Sequence, residues 1–276
     1  MLMLAVGAGL QFAAALALAD ATQATTAVEA RHEASRAIPL ERIDSNYRTA
    51  VIQVLGDTSL YRRLPTKTVD CDPKLFTFLA QNPETLVEIW RRLGITHIEL
   101  KRIGDNSFKL TDNSGTTGKL TIVEQNCDDR AQNRIVMYAE GAYEGKPFAR
   151  PVKAQCVLLL RSGSMTETND RDYVAARLDS FIHIDRSSIE LFAKAVHPLV
   201  GKTADRNFTD TLQFISNFSR TAETRPASVE RLVSGLPDVS PESQNQLIRI
   251  AYQCGSTAKQ TGVSVQTSPR VSRAPN

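Results

Sequence analysis

Across residues 96–185 the apolar side chains recur at every second position in short stretches divided by turn residues, and beyond 187 the period lengthens to that of a helix. The alternation is plainest in the last stretch. There Val174, Ala176, Leu178, Ser180, Ile182 and Ile184 alternate with Tyr173, Ala175, Arg177, Asp179, Phe181 and His183, so the even set should face a core. In the stretch before it Val152, Ala154, Cys156, Leu158 and Leu160 share a face. Strands are expected at 96–103, 107–111, 119–125, 134–143, 152–161 and 173–185. The separators 104–106, 112–118 and 128–133 have the length and composition of hairpin loops, which makes the sheet antiparallel.

Helices flank these strands. Asp72-Pro73 and Asn82-Pro83 each present a capping residue followed by proline, and the apolar positions Leu75, Phe76, Phe78 and Leu79, then Leu86, Val87, Ile89 and Trp90, follow at helical spacing up to Gly94. After the strands, Ser187-Ser188-Ile189-Glu190 fits a capping box that opens a helix running to about 223, interrupted at Pro198 and Gly201. Its resumed part carries Ala204, Phe208, Thr211, Leu212, Ile215, Phe218 and Ala222 on one stripe. Two shorter helices, 227–234 and 241–254, complete the pattern. The fold class is therefore α+β: an antiparallel sheet, a long C-terminal helix against its apolar face, and extra C-terminal helices. The odd face also carries Val157, Leu159 and Phe181, and the trailing helices or a partner should cover them.

The ends read differently. Residues 1–19 contain no charged side chain and close on Ala17-Leu18-Ala19, the pattern of a secretory signal peptide, or alternatively of an anchor left uncleaved. The expected location is thus periplasmic or extracellular. Residues 20–37 lack Phe, Tyr and Trp and read as a linker; 256–276 reads as a disordered tail. The remainder divides into a domain over 38–225 and a helical appendage over 226–255.

Composition narrows the chemistry. Among 276 residues, 33 basic side chains face 30 acidic ones, a formal net charge of +3 without long basic runs, which argues against nucleic acid as the partner. Membrane contact is expected only through an uncleaved N-terminal segment. Cys71, Cys127, Cys156 and Cys254 include no CxxC spacing, so no metal site is expected; a Cys71–Cys254 bridge and four buried free thiols both fit. Arg177, Asp179 and His183, with Glu140 from a neighbouring strand, could form an ionic cluster, but they lie opposite the apolar even face and are expected to meet solvent or the trailing helices. His197, beside Pro198, is assigned a structural role rather than a place at a cavity mouth beside Asp205. Ser162-Gly163-Ser164 reads as a loop and not a nucleophile elbow, because a strand follows it. Gly115-Thr116-Thr117-Gly118 reads as a hairpin turn.

Helices before the sheet, a run of antiparallel strands, then Leu178-Asp179-Ser180-Phe181-Ile182 leading into one long amphipathic helix resembles, over about 71–223, the helix-grip fold of the START-like superfamily. That fold implies a cavity between sheet and final helix suited to lipids, sterols or other apolar molecules. The 40–69 segment supplies no clear first strand, and the helices after Arg225 have no counterpart in the minimal fold. Together, the apolar stripe and the resemblance lead to the expectation of an exported, non-catalytic binding protein for an apolar or amphipathic small molecule. Leu158, Leu178, Ile182, Phe208, Leu212 and Ile215 would line its cavity, and no cofactor is implied. A structural or interaction module of the cell envelope is the alternative, and an enzyme on the same fold the third reading.

Overall fold

The computed structural model describes residues 23–127, 132–145, 150–185 and 197–260. The apolar run 1–19, the capping box at 187–190 and residues 261–276 lie outside the described residues. Among those described, no helix is long and apolar enough to cross a membrane.

Eight strands form one antiparallel sheet: β1 (Leu60–Arg63), β2 (Lys67–Asp70), β3 (Glu99–Gly104), β4 (Ser107–Thr111), β5 (Thr116–Asn126), β6 (Asn133–Tyr143), β7 (Val152–Thr166) and β8 (Asp172–Ile184). From β3 to β8 each strand pairs with the next, as the hairpin spacing predicts. The β4–β5 turn is closed by Asp112, whose carboxylate accepts from the amides of Ser114 at 2.8 Å and Thr116 at 2.7 Å. Gly115 takes φ +100°, a region open to glycine. Residues 162–164, expected in a loop, instead continue β7.

The far edge corrects the sequence reading. A first strand does exist, in two pieces: β1 pairs with residues 179–182 of β8 and β2 with residues 173–176. Between them the Leu64 amide donates to the Leu178 carbonyl at 2.8 Å, so the two pieces act as one broken edge strand. Four-residue strands holding Arg62, Arg63 and Lys67 give no apolar alternation to read.

Helices cover both faces. Towards the even face of β8 lie α3 (Pro73–Gln81), α4 (Pro83–Arg92), α5 (His197–Thr224), α6 (Pro226–Val233) and α7 (Pro241–Gln260), which share one core with Val174 and Ala176. Asp72 caps α3 by accepting from the amides of Lys74 and Leu75 at 2.8 and 2.9 Å, with Pro73 in the first turn where its missing N–H leaves no gap. From His197 to Thr224 the described helix α5 runs through Gly201 without an interruption, with Pro198 in its first turn; the expected stretch before it lies outside the described residues. At the other end, α7 continues through Ser256 to Gln260, into the segment read as a tail.

Towards the odd face lie α1 (Val28–Arg36) and α2 (Ser45–Gly56). The segment expected to be a linker therefore contains an ordered helix, with Ala34 fully buried. Val157, Leu159 and Phe181 are covered by these N-terminal helices through Ala34, Ile38, Val51 and Val54, and not by the trailing helices or a partner. The physical reason is composition: α1 offers little apolar surface and is fastened by charge.

That fastening centres on Asp179. Expected at the surface, it is fully buried. One carboxylate oxygen accepts from the Tyr61 hydroxyl at 2.7 Å and Arg63 Nε at 2.7 Å, the other from Arg161 Nη2 at 3.0 Å. Arg63 also pairs with Glu33 of α1, and Arg161 Nη1 donates to the same Glu33 at 2.5 Å. Burial, then Asp179, pushes the Tyr61 hydroxyl pKa upward, keeping it a donor.

Cys71 and Cys254 are both free thiols, so the bridge between them is not formed, although both lie in the larger core. Burial pushes both thiols upward and keeps them protonated.

Two predictions follow from the Asp179 network. Asp179→Ala leaves Arg63 and Arg161 buried without their common partner, and urea unfolding should register a loss of about 3–5 kcal/mol. Hydrogen bonding to Arg161, with the charges of Arg161 and Arg63, lowers the Glu33 pKa from 4.5 to about 2. A depressed carboxylate stabilises the fold above its unfolded value, so a thermal series should show Glu33-dependent stability lost as pH falls from 4.5 towards 2, and that slope should be absent in Glu33→Gln.

Candidate functional site

The stripe on α5 and the even face of the sheet do not meet everywhere. Between them is a cavity of about 380 Å³. Leu158 and Leu178 face it from the sheet, and Phe208, Leu212 and Ile215 from α5. The register sets the sheet side, since Leu158 pairs with Ser180 and Leu160 with Leu178, giving adjacent side chains on one face. Helical spacing sets the other, because 208, 212 and 215 fall on one side of consecutive turns.

Ile182, the sixth expected residue, does not line the cavity. It pairs with Cys156 on one side and Leu60 on the other, one step further along the face than Ser180. The sequence reading also missed residues that close the cavity: Phe76, Leu79 and Leu86 from α3 and α4, and Met137 from β6. The Leu75–Leu79 periodicity identified an apolar helix face, but local pattern does not tell which part of the sheet that helix meets.

Three attachments fix α5 over the cavity. Near its start Asp205 pairs with Arg62 of β1, Nε donating to Oδ1 at 2.7 Å. Arg62 stands opposite Ser180, a cavity residue, so this ion pair sits at the cavity's edge. Further along, Ser216 Oγ donates to the Asp70 carbonyl at 2.8 Å, and the buried Ser219 Oγ accepts from the Asp72 amide at 3.0 Å. At the end Arg171, held by Asp70 at 2.9 and 2.8 Å, also reaches Glu223 at 3.3 Å.

The lining is chemically quiet. Its polar side chains are Ser180, Asn207 and Thr211, and none of its residues titrates. Nothing in it can transfer a proton near neutral pH or ligate a metal strongly, and no metal-ligating group of His, Cys, Asp and Glu occurs among the described residues. What the geometry can do is desolvate an apolar molecule and hold a hydroxyl or carbonyl at Ser180 or Thr211. A volume of about 380 Å³ suits a molecule of roughly 15 non-hydrogen atoms, scaling from the ~150 Å³ that encloses benzene.

The candidate ionic residues separate into two places. Arg177 and Asp179 belong to the Glu33 network, with Arg177 Nη2 3.4 Å from Glu33 and Nε 3.9 Å from Asp179. His183 and Glu140 line a different recess, near Lys153. His183 Nδ1 lies 2.7 Å from the Asp57 carbonyl oxygen, and Glu140 accepts from Tyr138 at 3.2 Å. The four residues therefore form no common site. His197 opens the described part of α5, and its side chain is outside the described residues; Asp205 is engaged by Arg62.

No protein-family model matches the chain, and no curated protein matches it. Among solved structures it is similar to a conserved protein from Geobacillus kaustophilus, with a TM-score of 0.34 and 14% identity over 57% of this chain and 93% of that one. It is also similar to dicamba monooxygenase bound to dicamba, with a TM-score of 0.29 and 14% identity over 83% of this chain and 64% of that one. The apo form of dicamba monooxygenase gives 0.27 and 13%, over 73% and 58%. Likenesses of this degree establish neither a shared fold nor a shared activity.

Leu212 is 2% exposed and touches both the cavity and the core. Leu212→Ala should lower stability by about 2–5 kcal/mol in urea titration, because it enlarges a void rather than opening one to water.

Proposed function

We propose that this is an exported, non-catalytic protein that binds an apolar or amphipathic small molecule between the sheet and α5, in the manner of a START-like helix-grip domain. The observation that carries the reading is the cavity itself, apolar, free of titratable side chains and bounded by five of the residues expected from sequence pattern. The fold supports it at a coarser level, through an antiparallel sheet with a long C-terminal helix over one apolar face. Export rests on the uncharged run before Asp20.

The ligand's apolar body is driven in by water release from Phe208, Leu212 and the leucines of β7 and β8. Its polar end, if it has one, faces Ser180 or Thr211. The Arg62–Asp205 pair fastens the start of α5 to the edge strand, so exchange requires α5 to loosen there.

Native mass spectrometry of the purified protein should reveal an added mass that organic extraction removes, and an environment-sensitive apolar dye should compete for the emptied site. Ala204→Phe, which projects a ring into the cavity, should abolish dye binding while the protein remains folded by circular dichroism. Absence of both bound mass and dye binding in the unmodified protein would sink the reading. Asp205→Asn removes the charge that Arg62 holds, worth about 1–2 kcal/mol for a partly buried pair, and stopped-flow dye release should accelerate roughly tenfold.

A further inference from the structure

On the opposite face of the same strands a cleft of about 710 Å³ runs from the end of α1 to the starts and ends of β6, β7 and β8. Among the described residues four arginines line it, Arg36, Arg134, Arg161 and Arg177, against the single carboxylate of Glu41. Their partners are unequal. Arg134 is fully engaged by Glu124 at 3.0 and 2.8 Å. Arg161 spends its two terminal nitrogens on Glu33 and Asp179, but its buried Nε has no hydrogen-bond partner among the described residues. Arg177 makes only the long contacts to Glu33 and Asp179 already given, and Arg36 donates only to the His32 carbonyl at 3.3 Å.

Charge in this corner does not balance. Arg63, Arg161 and Arg177 face Glu33 and Asp179, three positive groups against two negative, with the exposed Arg36 beside them. Burial, then the neighbouring Arg161 and Arg63, lowers the Arg177 pKa, which is the mark of a guanidinium held against like charges. A surplus cation with free donors is complementary to an anionic group that accepts from them.

We propose that this cleft binds an oxyanionic group, the chemistry shared by a phosphate and a carboxylate, with Arg177 and Arg36 as its charge partners and Arg161 Nε as a positioned donor. The site is independent of the apolar cavity, from which the sheet separates it. Arg134 and Glu41 form its rim and set its size.

The test uses the full chain, with inorganic phosphate and succinate as probes and sodium chloride at matched ionic strength as the reference. The thermal midpoint should rise by about 3 °C or more once the effective anion stands tenfold above its dissociation constant. A rise with phosphate alone assigns phosphate chemistry, a rise with succinate alone or with both assigns carboxylate or general oxyanion chemistry, and each supports the site. Arg177→Gln relieves like-charge repulsion, so without anion its midpoint should equal or exceed that of the parent, while the anion response disappears. Arg36→Ala should weaken binding about tenfold by isothermal titration with no change in midpoint. Ala204→Phe should retain the anion response, which separates this site from the apolar one. No rise above the chloride reference, or an undiminished response in Arg177→Gln, would overturn the proposal.

Discussion

A carboxylate shut away from water must be surrounded by donors, and the attachment of α1 and the edge strand to the odd face of the sheet is organised by that demand at Asp179. Its two oxygens collect Tyr61 and Arg63 from the edge strand and Arg161 from β7, and through those arginines they hold Glu33 of α1. The network thus joins the interrupted edge, two central strands and the helix that covers them. Remove the carboxylate and the arginines keep only the half-exposed Glu33 in common; remove the arginines and α1 retains only Ala34 and its neighbours as apolar footing.

Strand alternation lets the same two strands serve opposite chemistries. Leu160 and Leu178 turn towards the dry cavity, while Arg161 and Asp179, next to them in sequence, turn towards the ionic side. A slip of one residue would carry a carboxylate into the apolar cavity and a leucine into the arginine cluster, so both faces enforce one register. The cross-strand pairs Leu160 with Leu178 and Arg161 with Arg177 record that choice. Glu33 and Asp179, lying against the arginine pair, offset part of its repulsion.

Where apolar periodicity governs the structure, the sequence was legible: the strands from β3 to β8, the hairpin at Asp112, the capped helix at Asp72 and the stripe of α5 all follow from it. Five of the six residues named for a cavity border one, and Ile182 stands elsewhere on the same face, since a shared face does not fix position along it. The elements that escaped are those fastened by charge or hydrogen bonds. The α1 sequence, VEARHEASR, buries one alanine and docks through a glutamate, and β1 docks through arginines, so neither leaves a hydrophobic trace. Standing opposite the apolar even face, Asp179 reads as meeting solvent or the trailing helices, whereas its partners come from positions that no local pattern connects. The helix α2 differs, packing Val51 and Val54 on the odd face that the sequence reading assigned to the trailing helices or a partner.

The span of those ionic contacts bears on the order in which the chain folds. Glu33 meets Arg161 across 128 residues and Arg177 across 144, and Arg63 meets Asp179 across 116. Contacts this distant carry a large loop-closure entropy and cannot form before the β7–β8 hairpin exists to present both arginines. The first helix of the described chain is therefore among the last to dock. Until then its glutamate and the arginines of the edge strand stay hydrated, and the apolar odd face of the sheet stays open. Closure of that face is a late event driven by charge, which makes the Glu33 contacts a brake on unfolding rather than a starting point for folding.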